Sequence, residues 1–244
     1  MKYLGIDISS KSTGWSLLED GKLVDFGKIN PTGTMIQGQK LNLFDVEITK
    51  ILNKCEPDLI AIEDVIHVKA ITTTKILARY NGIAIKTAYS YNKKEPTLVE
   101  PTKWKKYLRD CTGGAKKAEI QLSVCKLFNL LPQNKIEYYE KRLENTFLIL
   151  KQNIDEENIK NLKKELGTAK RKKDIEKVKK IQTIIKECQG AIDKLKRSNK
   201  KEFDSEISLL SMEIYTDSGL NEDEADATGI AYYLYLIDKG EINE

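Results

Sequence analysis

The feature that most constrains this chain is a change of hydrophobic period just after residue 30. Residues 2–8, 12–19 and 22–30 are three short β-rich runs separated by tight turns. The second turn is Asp20-Gly21, a pair suited to closing a hairpin. From residue 36 the apolar positions recur three and four apart, and Leu41, Phe44, Ile48 and Ile51 define an amphipathic helix over 36–53. A chain that opens as an antiparallel meander and then alternates helices with single strands needs a sheet with helices packed on it.

The alternation continues. "DLIAIEDV" (58–65) reads as a buried strand ending in Glu63-Asp64, and a helix over 71–91 carries Ile76, Tyr80, Ile83 and Thr87 on one stripe. "PTLVE" (96–100) supplies a fifth strand, followed by helices over 101–109 and 115–131. A last helix runs from about Asn221 to Asp238 with Ala227, Ile230, Leu234 and Ile237 facing inward. The expectation is an α/β protein with a five-stranded mixed sheet flanked by helices.

Residues 135–205 differ in kind. Lys135–Asp204 carries 20 basic and 13 acidic residues, against 21 and 24 in the rest of the chain. Val178, Ile181, Ile185, Cys188, Ile192 and Leu195 form a narrow seam of the coiled-coil type, and Gly167-Thr168 interrupts an earlier helical run. The segment reads as an inserted basic helical hairpin, either solvated and packed on itself or in contact with a polyanion. Three parts result: a core over 1–134, the insertion over 135–205 and a return to the core over 206–244.

Several classes drop out. Cys55, Cys111, Cys125 and Cys188 have no paired spacing and His67 is the sole histidine, so neither a zinc site nor a disulfide framework is supported. With no long apolar run and no leader layout, the reading is a protein of a reducing cytoplasm that needs no membrane. The net charge of +4 proves no partner; its uneven distribution is the informative part.

Three apolar elements carry acid at one end: Asp7, Glu63, and the Asp223/Asp226 pair that opens the final helix. If the first and fourth strands are neighbours, Asp7 and Glu63 leave the sheet side by side. Residues 223 and 226 share a helix face, with Cβ atoms about 5–6 Å apart. Four clustered carboxylates stay ionised only beside a cation. Their hard oxygens suit Mg²⁺, or Mn²⁺ in its place, and a pair of such ions can activate water against a phosphodiester. Each acid also has a local explanation. Asp7 can bond the turn amides of Ser9 and Ser10, Glu63-Asp64 can be a solvated strand exit, and Asn221 with Glu224 forms a capping-box pattern.

"LGIDISSKSTGW", "LIAIEDVIHVKAITTTKILARYNGIAI", "VEPTKWKKYLRDCTGGAKKAEIQ" and "EADATGIAYYL", in that order, resemble the RuvC family of Holliday junction resolvases, of the RNase H-like fold. The resemblance implies that Asp7, Glu63, Asp223 and Asp226 are catalytic acids holding two Mg²⁺ ions, with Asp7 bridging them. It implies a homodimer acting on branched DNA, with no nucleotide cofactor, and a lysine, Lys116 or Lys117, near the cleaved phosphate. Candidate DNA contacts are Ser9, Lys11, Ile66, His67, Lys69, Lys105, Lys116 and Lys117. "TKWKKYL" fits a nucleic-acid surface or an amphipathic core helix equally.

Two departures stand out. Related resolvases carry an aromatic wedge after the second acid, where this chain has Ile66 followed by His67, and the 135–205 insertion has no counterpart in the resemblance. A structure-selective nuclease for forks, flaps or replication branches is therefore an alternative. "GIDIS…TG" also resembles the phosphate hairpin of actin-like and sugar-kinase ATPases, with "TDSG" at 216–219 the sole candidate for their second loop.

Overall fold

The computed structural model describes residues 1–31, 33–65, 71–108, 117–151, 161–166, 168 and 175–242. The meander forms as expected: β1 (Lys2–Asp7), β2 (Thr13–Glu19) and β3 (Lys22–Ile29). The β1–β2 turn is held by its own hydroxyls, since the Ser9 amide donates to Thr13 Oγ1 and the Thr13 hydroxyl donates to the Ser9 carbonyl. The Ser9 amide is therefore spent within the turn. Asp20 (φ 48°) and Gly21 (φ 78°) make the hairpin turn, both in the left-handed region that this pair tolerates.

Helix α1 (Gln37–Cys55) follows, then β4 (Leu59–Glu63), α2 (Ile71–Asn92) and β5 (Thr97–Val99). The sheet order is β3-β2-β1-β4-β5, antiparallel within the meander and parallel from β1 to β4 and β4 to β5. The switch from antiparallel to parallel falls at β1. On one face Leu4, Ile6, Trp15, Leu17, Ile60 and Ile62 pack against Phe44, Ile48, Ile51 and Tyr80 of α1 and α2. Burying each such side chain contributes about 1.5–3 kcal/mol.

Three helices complete this part of the chain: α3 (Pro101–Tyr107), α4 (Lys117–Leu127) and the last helix (Glu222–Asp238). Between α4 and the last helix lie α5 (Gln133–Lys151) and α6 (Ile175–Ser218), so the last helix is α7. Contacts divide the chain into one unit of Met1–Ile136 with Ser211–Glu244 and another of Glu137–Leu210. Within Glu137–Leu210, Tyr139, Leu143, Ile181, Phe203 and Ile207 are buried, and the Phe147 and Phe203 rings lie 5.4 Å apart. The apolar seam does not close at Leu195, which is 37% exposed, because that stretch of α6 carries charge on several sides. Gly167 and the side chains of Val178 and Cys188 lie outside the described residues.

Thr216–Ser218 form the last turn of α6, and Gly219 (φ 75°) terminates it with its amide on the Tyr215 carbonyl. "TDSG" is thus a helix end with no strand on either side, and the ATPase alternative loses its second phosphate loop. No described helix is long and apolar enough to cross a membrane.

Candidate active site

The second face of the sheet is built to let α7 lie close. In β1 and β2, Tyr3, Gly5 and Asp7 pair with Leu18, Ser16 and Gly14 and share that face. A Cβ on Gly5 would stand 2.2 Å from the Ala227 carbonyl oxygen, and one on Gly14 only 2.0 Å from the Asp223 carbonyl oxygen. The two glycines therefore seat the helix backbone directly on the sheet, and Gly14 is the cross-strand partner of Asp7. Glycine within a strand signals such an approach, and here it is what lets Asp223 and Asp226 reach the sheet.

Parallel pairing of Ile6 with Ile62 brings the next residues, Asp7 and Glu63, out of the sheet side by side. Asp7 is 9% exposed. Burial raises its carboxyl well above the usual range, and Glu63, Asp226 and Asp223 push it the same way, with a hydrogen bond from Asp7 to Glu63 adding to the effect. Burial likewise lifts Asp226 to about 7, against the pull of Lys105 and Lys117, with Glu63 and Asp223 raising it further. The four acids predicted from the sequence are thus one electrostatic cluster.

The local explanations account for some of the carboxylates but not for Asp226. Asn221 and Glu224 form a reciprocal capping box, at 2.9 and 3.0 Å, and Asp223 sits in the first turn where it complements the helix dipole, whereas Asp226 lies further in and no cap needs it. Among the described residues no three His, Cys, Asp or Glu side chains are disposed to enclose an ion, and Asp7 and Glu63 bond to each other instead. Acids this close hold a proton between them unless a cation balances their charge. The donor set, four carboxylates in a partly desolvated place, fits a hard divalent ion.

Lys105 projects from α3 as the foremost cation acting on Asp226, and its ammonium sits 4.9 Å from the Trp104 ring centre. Lys117, at the start of α4, is exposed and ion-paired with Glu222. Glu222 Oε1 also lies 2.9 Å from Ser211 Oγ, whose single proton is shared with Gln121 Oε1 at 2.8 Å. Trp104 is fully buried, so of the two readings of "TKWKKYL" the core helix holds for this residue. Lys11 is exposed and Ser9 half-buried on the β1–β2 turn. Ile66, His67, Lys69 and Lys116 lie outside the described residues. Three contacts have no signal in the local sequence. Trp104 donates to Glu63 Oε1 at 3.2 Å, Asn81 donates to the Glu63 carbonyl at 3.2 Å, and Glu222 occupies Lys117.

The family model for crossover junction endodeoxyribonuclease RuvC matches residues 3–138. Similar proteins include the RuvC of Alkaliphilus oremlandii (strain OhILAs), 29% identical over 134 residues that make up 53% of this chain and 80% of that protein. The RuvC of Ehrlichia chaffeensis (strain Arkansas) is 27% identical over 133 residues, 53% of this chain and 84% of that protein. Thermus thermophilus RuvC in complex with Holliday junction substrate superposes with a TM-score of 0.46 at 15% identity, covering 53% of this chain and 79% of that one. The matched span contains Asp7, Glu63, Lys105 and Lys117 and stops ahead of α7. The α7 acids lie beyond the matched span and join the cluster by their placement in the fold.

Proposed function

The chain belongs to the RuvC family of crossover junction endodeoxyribonucleases, and on that basis we propose that it resolves four-way DNA junctions by metal-dependent phosphodiester hydrolysis. The observation that carries the reading is the emergence of Asp7 and Glu63 side by side from parallel strands, electrostatically coupled to Asp223 and Asp226 of a distant helix. Asp7, Glu63, Asp223 and Asp226 would hold the Mg²⁺ ions, two in this reading. Ions so held supply a water of lowered pKa and stabilise the leaving oxygen.

The rest is the work of the chain's own groups. Burial and the neighbouring acids favour the protonated form of Asp7, so a cation loading the site would displace that proton. The α7 backbone on Gly5 and Gly14 closes one side of Asp7 to solvent and keeps the local dielectric low. Lys105 offers an ammonium beside Asp226 where phosphate charge would gather. Lys117 can offer a second once Glu222 lets it go. The reading includes a homodimer in the cytoplasm, each subunit cutting one of two symmetric strands to leave 5′-phosphate and 3′-hydroxyl ends.

The test is cleavage of an end-labelled four-way junction with Mg²⁺. The wild type cuts and Asp7→Asn binds without cutting. Retained cutting by Asp7→Asn overturns the site, and a preference for Y-forks or flaps over junctions replaces the substrate with the branched alternative.

A further inference from the structure

We infer that Trp104 is a positioning residue for the second acid, its uncharged indole N–H fixing the Glu63 carboxylate by a hydrogen bond. The inference rests on Glu63 being a catalytic acid, as proposed above.

The placement follows from the sheet. β5 ends level with β4, Glu63 pairing with Val99, and the Asp64 amide donates to the Val99 carbonyl. Two residues later Pro101 opens α3, with its fixed φ suited to a helix start. Trp104 therefore comes round within a turn of the end of β5. Its Nε1 lies 3.2 Å from Glu63 Oε1. The ring is fully buried and rests where α7 has a glycine; a Cβ on Gly229 would stand 2.6 Å from Cζ3 and 2.7 Å from Cε3. A larger residue at 229 would drive the indole off its seat.

A wholly buried indole must spend its one donor on something. A backbone carbonyl would have served a purely structural tryptophan. Here the donor goes to a carboxylate of the acid cluster, whose own main chain is pinned by Asn81. A lysine or arginine in the same place would orient Glu63 but cancel its charge. An indole has no charge and no acceptor, so it fixes Oε1 while leaving the other oxygen and the full negative charge for a cation. Outer partners of this kind commonly set metal affinity and activity by 10–100-fold. The same ring offers its face to the Lys105 ammonium, so one side chain orders an acid at its edge and a base at its face.

Trp15 and Trp104 are the two tryptophans of the chain, so Trp15→Phe leaves a single reporter. In that background Trp104 is replaced by 3-benzothienylalanine, which keeps the ring outline and substitutes sulfur for N–H. The expected result is a loss of roughly 10–100-fold in kcat and a higher Mg²⁺ concentration for half-maximal cleavage, with junction Kd and thermal midpoint unchanged. Equal kcat and equal Mg²⁺ dependence overturn the inference. Glu63→Gln separates the two claims. If it still cleaves, the reading of Glu63 is wrong and the inference falls with it. If it is inactive while the isostere cuts normally, only the inference falls. A second measurement needs no isostere: Mg²⁺ alone should change the emission of Trp104 in the Trp15→Phe protein, and Glu63→Gln should abolish that change. Emission indifferent to Mg²⁺ also refutes the role.

Discussion

Replacing Asp226 with asparagine should stabilise the metal-free protein at alkaline pH while destroying its activity. Asp226 titrates near 7 in the fold against 3.8 for the free side chain. Because the folded value is raised, the native state holds a proton that the unfolded chain has released throughout that window. Stability therefore falls as pH rises from about 4 to about 7, and the full penalty is present above 7. About three pKa units at 1.36 kcal/mol each give about 4 kcal/mol as an upper figure. The amide keeps a polar group in place and recovers part of it, so about 2 kcal/mol is a realistic gain, or roughly 4–8 °C in Tm for a chain of this size. Thermal unfolding in EDTA at pH 8 and pH 4 measures it. The variant should melt above the wild type at pH 8 and level with it at pH 4. Adding Mg²⁺ should raise the wild-type midpoint and close the gap. An Asp226→Asn protein that melts below the wild type at pH 8 would mean a satisfied carboxylate, and the strained acid cluster would be refuted.

Three further outcomes are expected. Gly14→Ala sets a methyl against the Asp223 carbonyl and should cost more than about 2 kcal/mol, with cleavage falling at least tenfold; unchanged melting and turnover would show that α7 is not seated as described. Glu222→Gln frees Lys117 at a stability cost within about 1 kcal/mol, and junction affinity at low salt should rise; unchanged affinity would count against Lys117 as a phosphate ligand. Changing Lys194, Lys196, Arg197, Lys200 and Lys201 to glutamine should flatten the salt dependence of junction binding by about one for every phosphate that stretch neutralises, and an identical slope would exclude its touching the backbone.

The sheet was legible because each strand sits between unambiguous punctuation. Asp20-Gly21 announces the hairpin, Pro101 ends the fifth strand, and the period of Phe44, Ile48 and Ile51 cannot be read as a strand. The acids were legible as strand and helix ends, and the register of Ile6 with Ile62 supplied the adjacency that the sequence left conditional. What stayed hidden depends on contacts across long stretches of chain. Gly5 and Gly14 are ordinary small residues until α7 lies on them. Trp104 sits 41 positions from Glu63, and an aromatic between lysines suits a surface as well as a core. Lys117 reads as a free phosphate ligand because Glu222 lies 105 residues away, beyond the whole insertion. Local pattern determines element type; it says little about which side chains spend their hydrogen bonds on each other.

Anomalous diffraction from Mn²⁺-soaked crystals tests the central claim most directly. Manganese peaks are expected among the carboxylates of Asp7, Glu63, Asp223 and Asp226, absent in Asp7→Asn. Manganese bound elsewhere in a protein that still cleaves junctions would contradict that claim.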